Sequence, residues 1–184
     1  IQLSVGLLER IVELSPTSAT AEKAWQSLGN YHGLNGDYEK AISHLESATN
    51  VHTPNATSYY LHAVWLAHSE DFISSAQALD RSLALDEGFK RKITYSREKL
   101  HRRNYLLVGN IYSRVGRPTE AIQALTQGID NARYDIAQDS ANFDILLLSD
   151  MYRGRADAFL TLGQHQAAID DYSQAIELNS LNSQ

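Results

Sequence analysis

The sequence predicts an all-α solenoid of helical hairpins. Three observations carry this. Residue types recur when the chain is shifted by 34 positions, as Trp25 falls on Tyr59, Gly29 on Ala63, Asp37 on Asp71, Tyr38 on Phe72 and Leu45 on Leu79. A large residue is followed four positions later by a small one at Trp25/Gly29, Tyr59/Ala63, Tyr105/Gly109 and Tyr152/Ala156. A glycine then stands at Gly36, Gly116 and Gly163, where the chain must turn between helices.

Each feature has a packing reason. The small residue lets a second helix approach closely. The second helix returns a small residue and then a larger one, at Ala41/Leu45, Ala121/Leu125 and Ala168/Tyr172. The prolines agree with this reading. Pro16 and Pro54 fall between hairpins and Pro118 opens a second helix, where a missing N–H costs little.

The best copies run from Trp25-Gln-Ser-Leu-Gly29 through Gly36-Asp-Tyr-Glu-Lys-Ala-Ile42, and from Gly163 through Ala168-Ile-Asp-Asp-Tyr-Ser-Gln-Ala-Ile-Glu-Leu-Asn179. They resemble the tetratricopeptide repeat, a 34-residue helix–turn–helix unit. The resemblance implies a right-handed superhelix over residues 1–184, with units at 22–55, 56–89, 102–135 and 149–182. Residues 1–15 resemble the second helix of a preceding, truncated unit. The unit at 56–89 departs most, with His62 where leucine is usual and Glu70-Asp71 in place of a glycine turn. A hairpin is still expected there.

Two insertions interrupt the period, 90–101 and 136–148. In the first, Phe89, Ile93, Leu100, Leu107 and Ile111 share one helical stripe that runs into the next unit. This predicts one long helix from roughly 88 to 115, extended by about 18 Å. The second insertion, with Phe143 and Ile145–Leu148 apolar on more than one side, is expected to lengthen a neighbouring helix. The expected solenoid therefore holds two extended helices.

Composition narrows function. The chain has 184 residues, 43% of them hydrophobic, and a net charge of −6. An acidic chain argues against a dominant nucleic-acid role. There is no cysteine, which excludes disulfides and thiolate metal sites and is compatible with a reducing, cytoplasmic compartment. The longest apolar run, Ala63-Val-Trp-Leu-Ala67, is too short for a membrane span.

No catalytic, cofactor or metal site is expected. The histidines His32, His44, His52, His62, His68, His101 and His165 include no pair at i, i+4. Asp170-Asp171 is expected on the solvated side of a second helix, where adjacent residues do not face each other. No phosphate-binding glycine loop and no Gly-x-Ser-x-Gly occur. The sequon Asn55-Ala56-Thr57 is a pattern expected by chance in a chain of this length.

Charge supplies a second candidate surface. Residues 90–103 hold seven basic side chains against one acid, a local +6 that leaves −12 for the rest. Arg91, Lys92, Lys99, Arg102 and Arg103 form a basic face beside the apolar stripe. Two readings stand. The face binds an acidic or phosphorylated partner segment, or it faces the chain's own acidic stretch of Asp130, Asp135, Asp139, Asp144 and Asp150.

The resemblance also implies where a partner would lie, because first helices in this family line a concave groove. The matching positions are Lys23, Gln26, Asn30, Tyr60, Val64, Arg103, Leu106, Asn110, Arg153 and Asp157. One subfamily grips a C-terminal carboxylate with Lys, Asn, Asn, Lys and Arg. The aligned residues here are Gln26, Asn30, Leu61, Arg103 and Leu107, and only Asn30 and Arg103 fit, which argues against that function. The expected function is a non-catalytic scaffold that binds a peptide or helix of a partner protein. The alternatives are a self-associating structural module, giving a homo-oligomer, and an accessory domain of a larger enzyme or assembly protein.

Overall fold

Helix ends in this chain are set by side chains that accept a backbone N–H. In the computed structural model, which describes residues 2–85, 99–137 and 145–181, four polar residues do this. Ser18, Asp37, Asn55 and Asp71 accept from the N–H groups of Ala21, Lys40, Ser58 and Ser74. Each such cap contributes about 1 kcal/mol. The described helices are α1 (Gln2–Leu14), α2 (Ala19–Leu34), α3 (Tyr38–Thr49), α4 (Ala56–His68), α5 (Phe72–Leu85), α6 (Lys99–Arg114), α7 (Pro118–Ala137), α8 (Ile145–Thr161) and α9 (His165–Leu181). No strand occurs among the described residues, so the fold is an all-α repeat fold.

The chain divides into two compact units, 1–89 and 90–184. In the first, α1 lays Val5, Leu8, Ile11 and Val12 against Ala21, Ala24, Trp25 and Leu28 of α2. The α2–α3 hairpin closes at the expected small residue. A Cβ on Gly29 would sit 2.5 Å from Leu45. Ala41 and Leu45 of α3 then form a cluster with Trp65 of α4, flanked by Ile42 and Leu61. The α4–α5 pair is tied by buried serines, as the Ser75 and Ser82 hydroxyls donate to the carbonyls of Ala63 and Ala56, each at 2.7 Å.

The second unit repeats the plan. Leu125 of α7 occupies the space that a side chain on Gly109 of α6 would need. Tyr105, Ile111, Leu125, Ile129, Met151 and Tyr152 fill its core. Ser149 of α8 donates to the carbonyl of Ala175 in α9 at 3.0 Å.

The turn within each hairpin is the same in four places. In the first, the N–H of Asp37 reaches the carbonyl of His32 and that of Gly36 reaches Gly33, with Gly36 at φ +83°. Gly116 and Gly163 close their hairpins alike, at φ +75° and +71°. In the α4–α5 turn the residue is Glu70, at φ +66°. The glycine-free hairpin thus keeps the common geometry, and Glu70 accepts a left-handed conformation that disfavours any side chain.

The insertions fall partly outside the described residues. Of the first, residues 90–98 lie outside, and Lys99–His101 open α6. Of the second, Ile136 and Ala137 continue α7 and Ile145–Leu148 open α8, while 138–144 lie outside.

Candidate protein-binding surface

The first helices that would line a groove are α2 and α4 in one unit and α6 and α8 in the other, and each pair is in contact. Between α2 and α4 the contact is polar and specific. Glu22, only 4% exposed, accepts from the Asn55 N–H and the Ser58 hydroxyl, both at 2.7 Å. Gln26 donates to the Ser58 hydroxyl at 2.8 Å and to Asn55 Oδ1 at 3.4 Å. Further along, the Trp65 indole N–H donates to Asn30 Oδ1 at 2.9 Å, and its ring lies flat on Gly33, where no Cβ could fit.

Two of the expected groove residues, Gln26 and Asn30, therefore place their amides against the next first helix. Lys23 is exposed, Val64 half-buried, and Tyr60 buried, with burial pushing its phenol above the ordinary range. Near the same end, Tyr38, Trp65 and His68 form a triangle of rings with centroids 5.1–6.0 Å apart.

In the second unit the corresponding positions are more open. Asn110, Arg153 and Asp157 are exposed and Leu106 is half-buried. Arg153 pairs with Asp150 at 2.8 Å, one turn apart on α8. Asp157 accepts from the Tyr172 hydroxyl of α9, and that bond raises the phenol's pKa. The Arg103 side chain lies outside the described part, as do those of Lys99 and Arg102 and the whole of Arg91 and Lys92. The basic face thus has no described geometry.

The expectation that Asp171 is solvated is corrected. It is 6% exposed and takes a two-pronged grip from Arg155, Nε to Oδ2 at 2.7 Å and Nη2 to Oδ1 at 2.8 Å. Arg155 also donates to Thr126 Oγ1 at 3.0 Å and lies over the Tyr152 and Phe159 rings. One guanidinium joins α7, α8 and α9. Asp170, its neighbour, is exposed and accepts from Gln166. Helical periodicity alone placed both residues outside, because it does not say which side of a second helix is covered. Arg155 was missed for the same reason.

Among the described residues no group of three or more metal-ligating side chains converges, and no helix is long and apolar enough to cross a membrane. His62 is half-buried, and burial holds its imidazole below the usual pKa.

Comparison with known proteins adds the family. Two profiles, both described as tetratricopeptide repeat, match residues 106–183 and 22–51. No curated protein matches in sequence. Among solved structures, a crystal structure of MamA aligns at TM-score 0.66 and 17% identity, over 97% of this chain and 88% of that one. YrrB, titled a protein of this repeat class with an unusual peptide-binding site, aligns at 0.66 and 17%, over 95% and 75%. A putative kinesin light chain from Podosopora anserina with nearly identical repeats aligns at 0.61 and 17%, over 98% and 88%. At such identities the likeness is one of fold.

Proposed function

The chain belongs to the tetratricopeptide-repeat family, and from this we propose that it is a non-catalytic interaction module. It holds a peptide or a helix of a partner protein against the first helices of its hairpins. The observation that carries this reading is the exposed polar row on α6 and α8. Asn110, Arg153 and Asp157 stand open on contacting helices, with half-buried Leu106 one turn before Asn110. An amide supplies both a donor and an acceptor for a partner's main chain, and the exposed charges of Arg153 and Asp157 add orientation. In the first unit, Lys23 is the open charge, while Gln26, Asn30, Tyr60 and Val64 form the more buried floor.

The sequence favours an acidic partner at a second place. Arg91, Lys92, Lys99, Arg102 and Arg103 concentrate positive charge in an otherwise acidic chain. Pull-down with the wild type, with Asn110→Ala/Arg153→Ala, and with all five basic residues changed to Glu separates the two surfaces. The groove reading expects the first variant to lose partners that the wild type captures. Retention of every partner by that variant, with an unchanged circular dichroism spectrum, removes the groove.

A second reading is self-association, favoured by the large aliphatic residues left open on the terminal helices. Leu7 and Leu14 of α1 are 64% and 67% exposed, and Ile169 and Ile176 of α9 are 57% and 70% exposed. Each pair is spaced by seven residues on one helical face.

A further inference from the structure

The ring stack in the α2–α3 hairpin has no part in the binding reading. His32 near the end of α2 and His44 in the middle of α3 face each other, with ring centroids 5.1 Å apart and planes tilted by 31°. Trp25 also stacks on His44 at 5.4 Å, and Tyr31 meets His32 edge-on at 5.2 Å. Two imidazoles so placed share one small, aromatic-walled seam between the helices. The His32 side chain is 18% exposed and His44 is half-buried, so water screens them incompletely.

We propose that the His32–His44 pair is a pH-responsive seam that loosens the α2–α3 hairpin reversibly as the solution turns mildly acidic. At neutral pH the two rings stack, and burial and the neighbouring His32 imidazole hold His44 toward its uncharged form. As the solution turns acidic, a proton on His44 is opposed by burial and by any positive charge on the ring beside it.

The charged surroundings do not cancel this. From α1, Glu9 faces His44 and favours its charged form. From α3, Lys40 opposes it, and the cap residue Asp37 favours it. Asp37 is already committed to Lys40 at 2.8 Å and stands 3.9 Å from His32 Nδ1. Burial comes first and His32 second among the influences on His44, and both hold its pKa below the ordinary 6.5.

The sign follows. The unfolded chain binds the proton more readily than the folded one, so this contribution to stability is whole above pH 6.5 and declines as pH falls below it.

The experiment is a histidine NMR titration of the intact chain, paired with thermal unfolding at pH 7.5 and 5.5. The His44 ring protons are expected to titrate with a midpoint below 6.5, and to shift upward in His32→Gln. His44→Phe keeps a ring against Trp25 without a titrating group. It is expected to lose less than half the melting temperature that the wild type loses between the two pH values, with His62→Gln as the control for the other half-buried imidazole. A His44 midpoint at or above 6.5 overturns the proposal, and so does a His44→Phe variant with the full wild-type pH dependence. The titration uses the wild type, so it decides even where a variant fails to fold.

Discussion

Arg155 and Asp171 show how much a single buried pair can constrain. The carboxylate sits under α8 with both oxygens bonded, and the guanidinium is walled by Tyr152 and Phe159. Removing one partner leaves an uncompensated charge inside the protein. Arg155→Ala is therefore expected to cost about 3–5 kcal/mol by urea denaturation, whereas Arg155→Met with Asp171→Leu is expected to be near neutral. The comparison separates the worth of the pair from the penalty of orphaning it. Glu70 is the converse case, a side chain where its three counterparts are glycine. Left-handed backbone costs a side chain roughly 1–2 kcal/mol, and glycine returns part of that through greater freedom in the unfolded chain. Glu70→Gly is expected to stabilise by about 0.5–1 kcal/mol, read as a rise in the denaturation midpoint at constant slope.

Within elements, the hairpins were legible because their packing rule is local. The small residue at Gly29 and Gly109 and the turn glycines announce themselves in sequence. Contacts between successive first helices were not legible. Trp65 reads as an ordinary apolar residue, yet it binds Asn30 and covers Gly33. Glu22 reads as a first-turn acid, yet it caps the helix of the next repeat through Asn55 and Ser58. Both depend on the angle between neighbouring repeats, which periodicity does not encode. Glu22→Ala leaves the Asn55 N–H without its acceptor, an expected cost of about 1–3 kcal/mol. Hydrogen exchange should quicken in α2 and at the start of α4, and protection in α8 and α9 should stay as it was, since repeats couple mainly to their neighbours. Acceleration spread evenly over both units would contradict that locality.

For the molecule as a whole, the open aliphatic residues include Leu7 and Leu14 of α1 and Ile169 and Ile176 of α9. Self-association through the last of these predicts a mass that rises with concentration in light scattering. Ile169→Lys/Ile176→Lys is expected to abolish the rise, and a wild type that stays monomeric over the same range removes this reading. The repeat class could be read from residues alone because the same solution recurs along the chain. The proposed partner-facing surface could be placed only by position, and its side chains divide between open ones such as Asn110 and ones engaged between helices such as Gln26.

Both tryptophans of the chain, Trp25 and Trp65, belong to the first unit. Intrinsic indole emission is consequently blind to the second unit, whose melting must be followed through its tyrosines or by circular dichroism. Within the first unit the two fluorophores watch different seams. Trp65 reports the joint between α2 and α4, whereas Trp25, stacked on His44, lies beside a group whose protonated form quenches it. Light emitted by one half of this chain thus carries two messages, one about mechanical integrity and one about acidity, and replacing either indole by phenylalanine would let each be heard alone.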